Sequence, residues 1–381
     1  MDAKGVKDME GAKAKETVRW GILGCGNVVD TKNGVPTYTA RGSELVGIWN
    51  RTRAKAQAWV ERHGHGRVYD TMEELLSDPD IDIVYVATPP YCHLEQAVAV
   101  ARAGKDCYLE KPIALNWEQA QQIAQAFAES GTRCFVAHYR RGMPRYKEAK
   151  RLLDSGTIGR VRGVQVIRTQ RQTAEERLPR DQKPWRVLPE LSGGSHFYEG
   201  DAHMLDLVDF LVGQLVDFDV EVTNETGFYE AEDAVALAGK TADGVLVSGS
   251  WCYAAYRALD RFLIYGDRGS IEFPYYDNAA PLHVETVAKG ASEVGHEGVL
   301  GGVREEAPLE AQDVFVDPQE YPGQGQIQDI VDVLRGVPGA ECTSTLETAL
   351  RTLRITCAAR EKMEAQRQAT PALGPSVQDV D

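Results

Sequence analysis

Short apolar runs alternate with stretches of helical composition from residue 18 to residue 137, and the alternation predicts repeated β-α units. The first run, Val18-Arg19-Trp20-Gly21-Ile22-Leu23, passes directly into Gly24-Cys25-Gly26-Asn27, and a helix is expected to begin near Val28. Further strands are expected at 44–49, 68–69, 81–87, 106–109 and 134–137. Helices fall between them at 52–63, after the Asp70-Thr71 cap, at 94–103 and at 117–129. The run at 81–87 is apolar on nearly every side chain, as in a strand buried on both faces of its sheet. Crossover helices make successive strands parallel, so the fold class is α/β, with a doubly wound Rossmann sheet over residues 17–140.

The pattern changes after residue 140. Strand-like runs at 162–168, 216–222, 234–240, 245–251 and 261–265 follow one another, interrupted by Asp243-Gly244 and Asp267-Arg268-Gly269. Asp-Gly between two such runs is a hairpin signal. Helical stretches stand at 206–212, 327–335 and 346–363. Residues 141–365 therefore read as a second α/β domain, and the polar ends, 1–16 and 366–381, as flexible tails.

Composition narrows the function classes. The 381 residues suffice for two cores, and a net charge of −15 argues against nucleic acid, which needs a basic face. Apolar runs all fall short of the roughly 20 residues that span a bilayer, and residues 1–16 have no signal-peptide core, so a cytoplasmic protein is expected. Seven scattered cysteines with no C-x-x-C pair suit reduced thiols better than a disulfide framework or a metal site.

Candidate chemistry starts at the glycine turn. Gly24 and Gly26, with Val29 where a small residue is usual, approximate G-x-G-x-x-G/A. Such a turn brings backbone N–H groups of residues such as Cys25, Asn27 and Val28 against a pyrophosphate. At the end of the second strand NAD enzymes place a carboxylate on the adenosine ribose; this chain has Asn50-Arg51-Thr52. Arg51, with the Asn50 and Thr52 side chains, can hold a 2′-phosphate, so NADP is expected over NAD.

Two more segments end parallel strands: Thr88-Pro89-Pro90-Tyr91-Cys92-His93 and Glu110-Lys111-Pro112. The second closes Ala103-Gly104-Lys105-Asp106-Cys107-Tyr108-Leu109-Glu110-Lys111-Pro112, and a fourth motif runs from Gly193-Gly194-Ser195 through Asp206. Together the four ordered motifs resemble the Gfo/Idh/MocA oxidoreductases, the glucose-fructose oxidoreductase and inositol dehydrogenase family. The resemblance implies a Rossmann domain followed by an α/β domain with a large, mostly antiparallel open sheet. One face of that sheet would cover the active site, and the other would pack against a second subunit in a homodimer or homotetramer.

The resemblance also implies roles. Thr88, Pro89, His93, Glu110 and Lys111 would line the nicotinamide end of the cofactor site, with Lys111 beside the reacting oxygen and a Lys111–Pro112 bond that is expected to be cis. His203 matches the general acid/base. Glu199 stands where the family has Asp, to hold a substrate hydroxyl or orient the histidine. The segment His138-Tyr139-Arg140-Arg141, through Tyr139 and Arg140, would line the substrate pocket, and Trp185 and Arg186 would reach over the cofactor. From their position in the chain, and not from the resemblance, His196, Tyr198 and Asp201 are expected to add hydrogen-bonding groups for a polyol. The implied activity is hydride transfer between NAD(P) and a sugar, cyclitol or related polyhydroxylated alcohol or carbonyl. Two alternatives are a cofactor-retaining sugar lyase or hydrolase working through transient oxidation, and a non-catalytic dinucleotide sensor.

Overall fold

The computed structural model describes residues 16–288 and 308–369; the expected tails lie outside these apart from Glu16 and residues 366–369. Six strands, β1 (Val18–Leu23), β2 (Ser43–Trp49), β3 (Arg67–Val68), β4 (Ile83–Val86), β5 (Asp106–Leu109) and β6 (Cys134–Val136), form a parallel sheet. Their order is β3-β2-β1-β4-β5-β6. The strand order reverses between β1 and β4, and there the carboxyl ends open a crevice. Each residue of β4 and β5 is buried, because helices cover both faces of the sheet. The Asp70-Thr71 cap forms as a full capping box, with Thr71 and Glu74 exchanging hydrogen bonds.

The first crossover differs from expectation. A π turn, Val29–Asn33, and a separate four-residue helix, Pro36–Thr39, replace a continuous helix from Val28. The Gly34 amide reaches back five residues to the Val29 carbonyl at 3.0 Å. A Cβ at Gly34 would stand 2.4 Å from that oxygen, so the extra-wide turn depends on glycine there. Pro36 then starts a new helix because it has no N–H to extend the old one.

The second sheet has eight strands in the order β14-β13-β12-β11-β7-β10-β9-β8. They are β7 (Val161–Thr169), β8 (Leu215–Thr223), β9 (Ala234–Thr241), β10 (Leu246–Cys252), β11 (Leu259–Gly266), β12 (Gly269–Phe273), β13 (Leu282–Val287) and β14 (Leu309–Val314). Every pairing is antiparallel except β7 with β10. The hairpin expected at Asp243-Gly244 forms, joining β9 to β10, and Asp267-Arg268-Gly269 marks a second one, joining β11 to β12, a strand that was not expected. One face packs on helices Pro144–Asp154 and Ala202–Val212; the other carries exposed side chains such as Val216 and Leu246.

The helix Leu346–Ala369 ties the halves together and continues past residue 365, where a flexible tail was expected. Gln366 donates to the Val222 carbonyl and Arg367 pairs with Glu230, which holds the last turns on the sheet edge. Ala349, Leu353 and Cys357 pack into the first domain, whereas Ile355, Ala359 and Met363 pack into the second. Both stripes have the four-residue spacing of a helix face, on nearly opposite sides.

Candidate active site

The crevice beyond β1, β4 and β5 is a cleft of about 280 Å³. Gly26, Asn27 and Val28 form one wall, Thr88 and Pro89 another, and Glu110 with Lys111 the floor; Tyr139, Trp185, Arg186 and Glu199 complete it from the second half of the chain. Gly24 turns the chain into it with φ +96°, and a Cβ there would stand 2.9 Å from the Ala87 carbonyl oxygen. Gly26 faces open space instead, which leaves its backbone free to approach a phosphate. The turn therefore fits a dinucleotide.

At the β2 end, the Cys25 amide donates to Asn50 Oδ1 at 3.3 Å, and Asn50 Nδ2 donates to the Thr52 carbonyl at 3.0 Å. Asn50 thus braces the glycine turn. Arg51 and Thr52 are exposed, and Arg51 has no ion pair among the described residues, whereas its neighbour Arg53 is held by Asp70 at 2.6 Å. His93 is buried below the cleft, its ring nitrogens 2.8 and 2.9 Å from the Thr88 and Pro112 carbonyls. It joins the ends of two strand segments and lies away from the open cleft. The Lys111–Pro112 peptide is cis.

The charged centre is a pair from distant parts of the chain. Lys111 Nζ donates to Glu199 Oε1 at 2.8 Å and to the Glu199 carbonyl at 2.7 Å, and Arg186 Nε lies 3.4 Å from Glu199 Oε2. Burial opposes ionisation of Glu199, but Lys111 and Arg186 outweigh it and hold the carboxyl at about 2. Glu110 runs the other way: burial raises its pKa although Lys111, Tyr85 and Asn33 oppose the change. Tyr85 and Asn33 donate to Glu110 Oε1 at 2.6 and 2.8 Å.

His203 stands one ring behind the cleft wall, 5.0 Å from Tyr139 and 5.3 Å from His138, ring centre to ring centre. It is buried, and neither ring nitrogen has a hydrogen-bond partner among the described residues. Burial, reinforced by Lys111 and His138, drives its pKa well below 6.5, so the imidazole is neutral at physiological pH. Arg141 fixes its helix with paired hydrogen bonds of 2.8 Å to both Asp206 oxygens, beside a contact to Asp209.

Glu199 and His203 do not share a helical turn. One helix ends at His196–Glu199 and the next is Ala202–Val212; between them the Asp201 amide reaches back five residues to the His196 carbonyl. The slip turns Glu199 towards Lys111, so the carboxylate orients a lysine and makes no bond to the histidine. Arg140 also lies off the cleft. Its guanidinium sits 3.8 Å over the Tyr275 ring and donates to the Tyr146 hydroxyl, the Tyr275 carbonyl and Asn278 Oδ1. Polar groups expected for a polyol are used internally: His196 meets Glu176, Tyr198 meets the Ala114 carbonyl, and Asp201 accepts from Tyr253 and Tyr276.

Sequence reading missed Lys32, which lines the cleft, and Asn33, which reaches Glu110. The available signal was Gly34 and Pro36 two residues apart, a sign that the first helix is interrupted. His138 enters the sequence reading only as part of the His138-Tyr139-Arg140-Arg141 stretch, with no role of its own; it stands 5.3 Å from His203, ring centre to ring centre.

The site thus combines a dinucleotide-type turn, a lysine at the end of β5 and a neutral histidine from the second half. Residues 18–138 match the model of an oxidoreductase family with an NAD-binding Rossmann fold, GFO/IDH/MocA, and residues 146–272 match its C-terminal domain. The chain belongs to the Gfo/Idh/MocA oxidoreductases. It is 35% identical over 260 residues to Oxidoreductase P35 of Formosa agariphila, covering 68% of this chain and 80% of that protein. It is 26% identical over 255 residues to 1,5-anhydro-D-fructose reductase of Ensifer adhaerens, covering 66% and 74%. Among solved structures it resembles levoglucosan dehydrogenase in complex with NADH and levoglucosan, with a TM-score of 0.74 and 21% identity over 92% of this chain and 98% of that one; at that identity the likeness is one of fold. No helix among the described residues is long and apolar enough to cross a membrane.

Proposed function

We propose that this Gfo/Idh/MocA member is an NADP-preferring dehydrogenase or reductase acting on a sugar, cyclitol or related polyhydroxylated compound. The observation that carries the reading is Lys111, with its ammonium fixed by Glu199 at 2.8 Å in the cleft that the glycine turn opens. NADP, when bound, supplies the hydride donor or acceptor. The turn from Gly24 to Val28 would hold its pyrophosphate, Arg51 with Asn50 and Thr52 its 2′-phosphate, and Thr88, Pro89 and Glu110 its nicotinamide end, with Trp185 and Arg186 reaching over it.

Lys111 would hydrogen-bond the substrate hydroxyl and stabilise the negative charge that develops on its oxygen. His203, kept neutral by burial, would accept the hydroxyl proton in oxidation. Glu199 keeps Lys111 aimed. Tyr139 stands between His203 and the cleft, so it would control access to that base. The name of one relative, 1,5-anhydro-D-fructose reductase, supports a sugar-type substrate. The outer face of the eight-stranded sheet, where Val216 and Leu246 are 54% and 61% exposed, supports a second copy packing there.

The test is spectrophotometric. Purified protein is given NADPH with a panel of keto-sugars, or NADP with the corresponding polyols, and absorbance at the nicotinamide band is followed. Turnover that vanishes in Lys111→Ala, with cofactor binding retained, is the expected result. Undiminished turnover in that variant would reject the assigned chemistry.

A further inference from the structure

One cation in the cleft has no part in the reaction just proposed. Lys32 belongs to the π turn Val29–Asn33, and the widened turn points it and Asn33 inward together. Asn33 Nδ2 donates to Glu110 and Tyr85, while its Oδ1 is buried with no hydrogen-bond partner among the described residues. The Lys32 ammonium is different: among the described residues its contact is the face of Tyr139, 5.3 Å from the ring centre, and no carboxylate pairs with it. It is half-buried in the cleft wall, so water does not simply surround it.

Lys32 lies within electrostatic reach of Glu110 and Glu199 but makes no ion pair with either. Lys111 and Arg186 are both spent on Glu199. Glu110, the remaining acid of the cleft, accepts from three neutral donors, Tyr85, Asn33 and the Lys111 amide, and burial raises its pKa although Lys111 and Lys32 oppose the change. Behind Tyr139 lies another cation, Arg140, 5.7 Å from the ring centre, whose acceptors are a hydroxyl, a carbonyl and an amide oxygen. Among the described residues, Tyr139 is thus flanked by an ammonium and a guanidinium without carboxylate partners. Bound NADP would place its negative pyrophosphate at the Gly24–Val28 turn and an oxidised, positively charged nicotinamide at the Lys111 end of the cleft. At that end a neutral polyol brings no counter-charge, whereas an anionic one does.

We propose that Lys32 binds an anionic group of the substrate, a carboxylate, so that the enzyme acts on a polyhydroxylated acid in preference to its neutral counterpart. This rests on the oxidoreductase reading of the same cleft. One ammonium matches a single negative charge. A phosphate dianion is better met by a bidentate guanidinium, and the arginine of the cleft, Arg186, is engaged by Glu199.

The experiment uses the full chain loaded with NADP or NADPH and matched ligand pairs: D-gluconate with D-glucitol, and D-glucuronate with D-glucose, plus D-glucose 6-phosphate. Binding is read from the fluorescence of the bound reduced nicotinamide, and turnover from its absorbance. The acid of each pair should be preferred by about tenfold or more, a typical worth of one charged hydrogen bond. Lys32→Gln should bring that ratio close to unity, and Lys32→Arg should retain much of it. A merely structural role would lower both members of a pair alike, so an unchanged ratio in Lys32→Gln overturns the proposal. So does a wild-type enzyme without acid preference, and preference for the phosphate overturns the carboxylate assignment. An acid preference in binding with no nicotinamide turnover by any ligand would uphold the Lys32 site and count against the assigned hydride chemistry.

Discussion

Breaking the Lys111–Glu199 pair offers the sharpest check on the site. Both side chains are nearly out of solvent, 10% and 13% exposed, so their attraction is little screened. Holding Glu199 at about 2 rather than its ordinary 4.5 corresponds to about 3 kcal/mol of stability at neutral pH. That contribution is fully present above the unfolded value and is lost as pH falls through about 2. Lys111→Met should therefore destabilise the protein by about 3 kcal/mol, because a buried carboxylate is left with Arg186 alone. For 381 residues the unfolding entropy is about 0.8 kcal/mol per degree, so the melting temperature should drop by about 4 °C. Glu199→Gln in the same chain removes the orphaned charge and should restore most of that loss without restoring turnover. A double-mutant cycle by urea unfolding at pH 7 measures the coupling, expected at about 2–3 kcal/mol. Additivity within about 0.5 kcal/mol, or recovery of activity in the double variant, would refute the reasoning.

Other consequences are tested more simply. Arg51→Ala should weaken NADP binding about tenfold or more, the loss of one charged phosphate contact, and leave NAD binding nearly unchanged; equal losses would exclude Arg51 from the 2′-phosphate. His203→Asn should slow turnover by about 10²–10⁴-fold, and wild-type oxidation should show no loss from His203 protonation between about pH 6 and 8, since burial keeps the ring neutral; an inflection near 6.5 that disappears in the variant would contradict this. His138, lowered to about 4 by burial despite Asp206, gives a stability signal. The unfolded chain takes up a proton below about 6.5 and the folded chain does not, so stability should fall by about 2 kcal/mol from pH 7 to pH 5 through this group. His138→Phe should flatten that part of the profile, and an unaltered profile would show that another group is responsible.

Much of the fold was legible because its local and global signals agree. The β-α alternation, the fully apolar β4 and the Thr71 capping box each identify an element from adjacent residues alone. Strands β12 to β14 were not legible. Leu-Glu-Ala-Gln-Asp-Val of β14 is a sheet edge with five exposed residues out of six, so no alternation between a wet and a dry face marks it. The first crossover was misread because an i to i−5 turn and an α turn have the same composition, and the choice is made by Gly34 meeting Val29 at close range. The final helix was cut short because residues 366–369 are polar; contacts with Val222 and Glu230 keep them helical.

The motifs named the glycine turn, Lys111, Glu199 and His203, since each is a short-range pattern of residue types. What those groups do to one another was decided by the tertiary structure. Lys111 and Glu199 are 88 positions apart, and their 2.8 Å contact depends on the chain slipping one residue at Asp201. The neutrality of His203 depends on burial behind Tyr139, and the inward cation of Lys32 on a single widened turn. Sequence by itself determined the order of the elements from β1 to β11 and most of the reactive groups, because backbone periodicity and turn chemistry are local. Distances, desolvation and charge balance are sums over residues far apart along the chain, and only the packed molecule fixes them.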